Sequence, residues 1–179
     1  MDAIKYLQAT DLSADPPEGF RLLPTGGGFN CLFGAVYGCV IEDRLVLGFR
    51  VSPRHLNPHN TCHGGVLATF ADMMAYAAQW EAGLLYTLTP TISLSTDFLA
   101  PALLGQWIRG DTELVKSTRT MLFTQSIIRA DETSILRCNA IYKIGASKED
   151  SASVIGNLFG NPAKSENRHP IQPKTSSQG

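Results

Sequence analysis

Between Val66 and Gln79 the sequence VLATFADMMAYAAQ carries a single charge, Asp72. A carboxylate in so apolar a run is costly to bury unless it is paired or hydrogen-bonded. If the run is helical, Ala68, Thr69, Ala75 and Tyr76 lie three and four residues from Asp72, with Gln79 one turn further. Asp72 then stands on a stripe of small and polar side chains, open to a substrate or a second subunit. There it can act as a general base or a nucleophile. It can equally be a structural group, bonded to a hydroxyl such as that of Tyr76 or turned to water.

A second constellation leads into the same run: His55, Leu56, Asn57, Pro58, His59, Asn60, Thr61, Cys62, His63, Gly64, Gly65. Two glycines at a helix start let a ligand reach the backbone. The free amides there, with the helix dipole, favour an anion or a developing oxyanion. Three histidines and a cysteine within nine residues also resemble a ligand cluster. Pro58 breaks the register that would set His55 and His59 on one face, and no zinc spacing is matched, so no metal is expected. Cys62 with His63 as its base is a weak nucleophile pair, because neighbours in an extended loop point apart. His63 can also be a loop brace, and Asn57 a turn residue favoured before Pro58.

These residues need elements to hold them. Gly64 and Gly65 open one long helix over Val66 to Glu81, free of glycine and proline, whose apolar residues cover most of its circumference and mark it as buried. Before it, period-two runs from Phe33 to Ile41 and Arg44 to Val51 read as a hairpin joined at Glu42 and Asp43. After it come four more: Leu88 to Phe98, Trp107 to Lys116, Met121 to Arg129 and Ile135 to Ile144, with short turns at Ser117 to Thr120 and Ala130 to Thr133. An α+β architecture follows, an antiparallel sheet of about six strands wrapped around one central helix, since nothing else in the chain can cover the apolar face of the sheet.

The chain of 179 residues suits one domain, expected over residues 31–146. Residues 1–30 form an arm with a short helix over Ala3 to Ala9 and a turn-rich stretch after it. Residues 147–179 form a polar tail, expected to be disordered because beyond Gly160 only Ile171 is large and apolar. Fifteen Lys plus Arg against sixteen Asp plus Glu leave a net charge of -1, so neither nucleic acid nor an anionic membrane is an expected partner. No apolar run is long enough to span a bilayer and the acidic N-terminus is unlike a signal peptide, which points to a soluble cytoplasmic protein. The scattered Cys31, Cys39, Cys62 and Cys138 are expected to be reduced thiols.

From about Phe33 to Ile144 the chain resembles the hotdog-fold acyl-CoA thioesterases of the phenylacetate-degradation type. The resemblance rests on Asn57 six residues before His63, Gly64 and Gly65, and on Asp72 nine residues after that histidine. It continues in Phe98, Leu99, Ala100, Pro101 and Ala102, and in Thr91 ten residues before the proline. It implies hydrolysis of acyl-CoA to free CoA and a carboxylic acid, with no cofactor beyond the coenzyme A of the substrate. It also implies homodimers, often paired as homotetramers, with active sites between the central helices of two subunits.

In that reading the Gly64 amide polarises the thioester carbonyl, Asn57 and His63 orient it, and Gly65 gives the substrate room. Asp72 acts from the partner subunit as general base or nucleophile, and Thr91 holds the water or the carboxylate. Lys116 and Arg119, flanking Ser117 and Thr118 at a hairpin, are the candidates for the CoA phosphates; as charges on a hairpin tip they can also be simply solvated. Geometry agrees on the dimer: eight helical residues at ~1.5 Å each put Asp72 about 12 Å from Gly64 of its own chain. A hotdog hydratase is disfavoured because its paired carboxylate and histidine motifs are absent. A non-catalytic acyl-CoA-binding module of the same fold would differ mainly in lacking a competent base.

Overall fold

The computed structural model describes residues 15–24, 28–146 and 154–160. Its strands are β1 (Arg21–Leu23), β2 (Val36–Ile41), β3 (Arg44–Arg50), β4 (Thr91–Phe98), β5 (Trp107–Ser117), β6 (Met121–Ala130) and β7 (Thr133–Lys143). They form one antiparallel sheet in the order β1-β2-β3-β5-β6-β7-β4. The helices are α1 (Phe29–Phe33), α2 (Gly64–Asp72), α3 (Ala75–Ala82) and α4 (Val154–Phe159). The central helical span packs on one face of the sheet, which is the hotdog arrangement expected above.

Four details depart from the sequence reading. The sheet has seven strands rather than about six, because three residues of the arm pair with β2; a strand that short shows no alternation in sequence. Phe33, read as the start of a strand, closes α1 instead, and turns its buried ring onto Phe49 at 5.0 Å and Phe70 at 6.4 Å. The segment 147–179, read as disordered tail, contains α4. There Ile155 is buried and Leu158 and Phe159 pack on the core, with Gly38 leaving room for the Phe159 ring. The short helix expected over Ala3 to Ala9 lies outside the described residues.

The fourth departure is in the helix itself, which is two segments rather than one. Met73 and Met74 have ψ of -10° and -9°, and the amides of Met73, Met74 and Tyr76 each bond three residues back, tightening the chain into a turn without proline or glycine. Met74 is fully buried over Gly110 of β5. A Cβ at Gly110 would stand 2.5 Å from the Met74 sulfur, so glycine permits this close approach of helix to sheet.

The turns follow local chemistry. Glu42 and Asp43 have φ of 50° and 62°, the paired positive values of a two-residue hairpin turn, and the Trp80 indole pins that turn by donating to the Asp43 carbonyl at 2.7 Å. The core centres on Phe33, Phe49 and Phe70 with the His55 ring edge-on to Phe49 at 5.1 Å. In the middle of the helical span Ala68, Thr69, Asp72, Ala75, Tyr76 and Gln79 are left at least partly open, the stripe drawn from the sequence. Among the described residues no helix is long and apolar enough to cross a membrane.

Candidate active site

The loop before α2 is built by Asn57. Its Oδ1 accepts from the amides of His59 (2.9 Å) and Thr61 (3.2 Å), and its Nδ2 donates to the Thr61 hydroxyl at 2.8 Å. One N–H of Nδ2 has no acceptor among the described residues. His55 is a core brace: Nδ1 accepts from the Ser52 amide at 3.0 Å and Nε2 lies 2.7 Å from the Phe33 carbonyl. His59 is exposed on the loop. Among the described residues no three His, Cys, Asp or Glu converge as metal ligands. Cys62 is buried, and burial pushes its thiol up to about 11, far from a thiolate nucleophile at neutral pH.

His63 caps α2. Its Nδ1 accepts from the Gly65 amide at 2.9 Å, which fixes the ring proton on Nε2. The amides of Val66 and Leu67 both turn to the His63 carbonyl. Of the four amides in the first turn, only that of Gly64 is left without an acceptor among the described residues, at the positive end of the helix dipole. The exposed Phe98 ring sits beside it, 3.3 Å from where a Gly64 Cβ would stand, so the strand-end aromatic of β4 walls the helix start.

At the far end of α2, exposed Asp72 receives a hydrogen bond on Oδ1 from the Thr91 hydroxyl at 2.7 Å. The partner is the first residue of β4, not Tyr76. Thr91 faces Tyr142 across the sheet, and the Tyr142 phenol is pushed well above its ordinary value, by burial first and then by the negative charges of Asp72 and Cys138, with Thr124 opposing.

Beside this pair opens a cleft of about 520 Å³, lined among others by Asp72, Tyr76, Gln79, Leu88, Pro90 and Thr91. Asn30 of α1 also lines it. Leu88 to Pro90 and Asn30 carry no sequence signal for this role, since it follows from how the chain returns from α3 to β4. That return is held by pairing of Leu88 and Pro90 with Gly145, Ala146 and Lys143 beyond and at the end of β7.

The structure thus joins Asp72 to Thr91, and His63 to Gly64 and Gly65, as two separate groups at opposite ends of α2. Lys116, Ser117, Thr118 and Arg119 form the β5–β6 hairpin tip, where Thr118 accepts from the amides of Thr120 and Met121. The register Thr91–Tyr142–Leu122–Ser117 runs straight across four strands. At ~4.8 Å per strand this places the tip about 14 Å from Thr91, at the same end of the sheet.

Residues 59–136 match the family model described as Thioesterase superfamily. A Pseudomonas aeruginosa protein named as a "Putative esterase" is 27% identical over 136 residues, which cover 72% of this chain and 96% of that protein. A thioesterase-like protein of Streptococcus pneumoniae, solved with coenzyme A, aligns with a TM-score of 0.56 at 17% identity, over 63% of this chain and 90% of that one. The Escherichia coli PaaI protein of the phenylacetic acid degradation operon aligns with a TM-score of 0.54 at 19% identity, over 60% and 82%. At such identities the structural matches show a shared fold, the hotdog fold.

Proposed function

We propose that this chain, whose residues 59–136 carry the thioesterase-superfamily pattern, hydrolyses acyl-CoA thioesters to free CoA and a carboxylic acid. The observation that carries the reading is the division of labour along α2: a hydrogen-bonded carboxylate at one end, and at the other the one first-turn amide with no acceptor among the described residues. A helix of nine residues separates them by about 12 Å, too far to act on one carbonyl within a chain. Two copies packed with antiparallel helices bring each Gly64 amide beside the other copy's Asp72, giving two equivalent sites about a twofold axis.

The uncovered surfaces fit such a homodimer. β4 is an edge strand with Ile92 and Phe98 exposed, and an apolar edge of this length calls for a cover. The helix stripe around Asp72 is open beside it. A homotetramer would follow from pairing two such dimers, and the cytoplasm is the compartment we assign.

In the composite site the Gly64 N–H donates to the thioester oxygen and stabilises it as it becomes an oxyanion. Asn57 holds the loop and can offer its remaining N–H to the same oxygen. Asp72, oriented by Thr91, takes a proton from water as the oxygen of that water adds to the carbonyl carbon; collapse then expels the CoA thiolate. Direct attack by the carboxylate, through an anhydride that water opens, uses the same groups. Lys116 and Arg119 supply charge for the CoA phosphates, and no cofactor or metal takes part.

The test is release of free thiol from a panel of acyl-CoAs by the purified protein and by Asp72→Asn, which keeps shape and removes the charge. Turnover by the native protein, abolished in Asp72→Asn with the oligomer intact, is the expected result. A protein that binds acyl-CoA without releasing thiol is a binding module, and turnover retained in Asp72→Asn overturns the mechanism.

A further inference from the structure

Building on the acyl-CoA reading, we propose that Asn30 of α1 is a further catalytic residue, whose carboxamide holds the attacking water against Asp72. Asn30 lies outside residues 59–136, so the superfamily pattern assigns it no role. It nevertheless lines the cleft together with Asp72 and Thr91, and among the residues of that lining Asp72 is the single charge.

The placement of α1 follows from its two ends. Gly28 and Gly34 flank the five-residue helix with φ of 68° and 106°, values that glycine adopts freely, and so the chain enters and leaves one turn abruptly. The turn is then pinned at its last residue. The Phe33 ring stacks on Phe70 of α2 at 6.4 Å, and its carbonyl accepts from His55 Nε2 at 2.7 Å, since Nδ1 of that ring already accepts from the Ser52 amide. Phe70 stands two residues before Asp72. Asn30 stands three residues before Phe33, on the same side of the turn. The aromatic contact thus seats Asn30 at the Asp72 end of the central span.

The chemistry at Asp72 calls for a second acceptor. Oδ1 accepts from the Thr91 hydroxyl at 2.7 Å and Oδ2 accepts from no described residue, so Oδ2 is the oxygen that takes a proton from water. A water that aims a lone pair at the thioester carbon and one hydrogen at Asp72 must point its other hydrogen elsewhere. Gln79 is about 10 Å further along the axis, seven residues at ~1.5 Å each. Its amide is also tied down, with Nε2 donating to the Thr87 carbonyl and the Thr89 hydroxyl at 2.8 Å each. An asparagine side chain has two donor hydrogens and an oxygen with two lone pairs, so Asn30 can bond a neighbour and a water together. In the step, the water oxygen bonds to the thioester carbon and one proton passes to Asp72. The second hydrogen stays on that oxygen, bonded to Asn30 Oδ1, while the carbonyl electron pair moves onto the oxyanion. Collapse breaks the C–S bond, and the proton on Asp72 passes to the leaving thiolate, which completes the acid and the thiol.

The experiment takes the acyl-CoA that the native protein hydrolyses fastest and adds hydroxylamine as a competing nucleophile. It compares the native protein with Asn30→Ala and with Asn30→Leu, which keeps the volume. Hydroxylamine is the stronger nucleophile and depends less on being held. Carboxylic acid and hydroxamate are both measured, corrected for the uncatalysed reaction. In the absence of hydroxylamine both variants should lose about tenfold in kcat with KM changed less than about twofold, the size of one hydrogen bond made in the transition state. The ratio of hydroxamate to acid should rise by a similar factor, and it does not depend on how much of a variant is folded. A ratio unchanged in both variants overturns this proposal alone, whatever happens to kcat. So does a loss confined to KM. A native protein that hydrolyses no member of an acyl-CoA panel overturns the acyl-CoA reading, and this proposal falls with it.

Discussion

Replacing Thr91 by valine removes one hydroxyl and little else. Valine is β-branched like threonine and suits the first residue of β4. The backbone pairing of this position with Tyr142 needs no side-chain oxygen. What disappears is the 2.7 Å hydrogen bond to Asp72 Oδ1. Hydrogen bonds to charged groups contribute about 1.5–3 kcal/mol, and the exposure of both partners in the single chain argues for the lower end. About 1.5 kcal/mol corresponds to roughly a tenfold loss in kcat/KM. Stability should change by less than about 0.5 kcal/mol, as for other surface positions. Thiol-release kinetics on Thr91→Val measure the loss in kcat/KM, and because Thr91 acts only through Asp72, it should fall on kcat with KM little changed. Unchanged kcat/KM in Thr91→Val would reduce the threonine to a strand residue. A loss confined to KM would mean that Thr91 acts on substrate binding by itself, against the geometry described.

Gly110→Ala places a methyl 2.5 Å from the buried Met74 sulfur and should cost about 1–3 kcal/mol in chemical denaturation, as overpacked cores do; a neutral result would mean that the helix lies further from β5 than described. Burial raises the Cys62 thiol from 9.0 to about 11, so its proton is held in the folded chain after the unfolded chain has lost it. Stability from this group is complete below pH 9 and falls as pH rises towards 11, by up to about 1.4 kcal/mol per pH unit. Equilibrium unfolding across that window should show the decline, and a thiol reagent at neutral pH should label exposed Cys31 rapidly while sparing Cys62 and Cys138. Dialysis against a chelator should leave hydrolysis unchanged, because among the described residues no three candidate ligands converge; stoichiometric zinc by elemental analysis, with activity lost to the chelator, would refute this.

The sheet, its hairpins and the open stripe on the helix were legible because each depends on local periodicity and on one misplaced charge. Asp72 stood out in sequence as the single charge of an apolar run, and in the fold it lies exposed on the stripe with Ala68, Thr69, Ala75 and Tyr76. The break at Met73 and Met74 was not legible, since it has no proline or glycine and arises where Met74 settles over Gly110. Helix α1 was hidden because Phe33 looks like the first apolar residue of a strand, and only its packing on Phe49 and Phe70 distinguishes the two. The cleft eluded the sequence for a different reason. Gln79 was on the stripe, but its amide is turned by Thr87 and Thr89, which lie beyond the helix, and no spacing rule reports that. His63 and Asn57 were legible as a pair, while the structure shows how both serve the loop: one spends the Gly65 amide and leaves that of Gly64 free, the other ties His59 and Thr61 together.

Mixing two inactive variants in one dimer examines the composite site itself. One subunit carries Asp72→Asn, the other Asn57→Ala, which loosens the loop that feeds the Gly64 helix start. In the heterodimer one site collects both lesions and the other collects neither, so about half of native activity per heterodimer should return, by twofold symmetry. If subunit exchange is demonstrated and no activity reappears, Asn57 and Asp72 serve one site from the same chain, and the assignment of Asp72 to the partner's helix start is wrong.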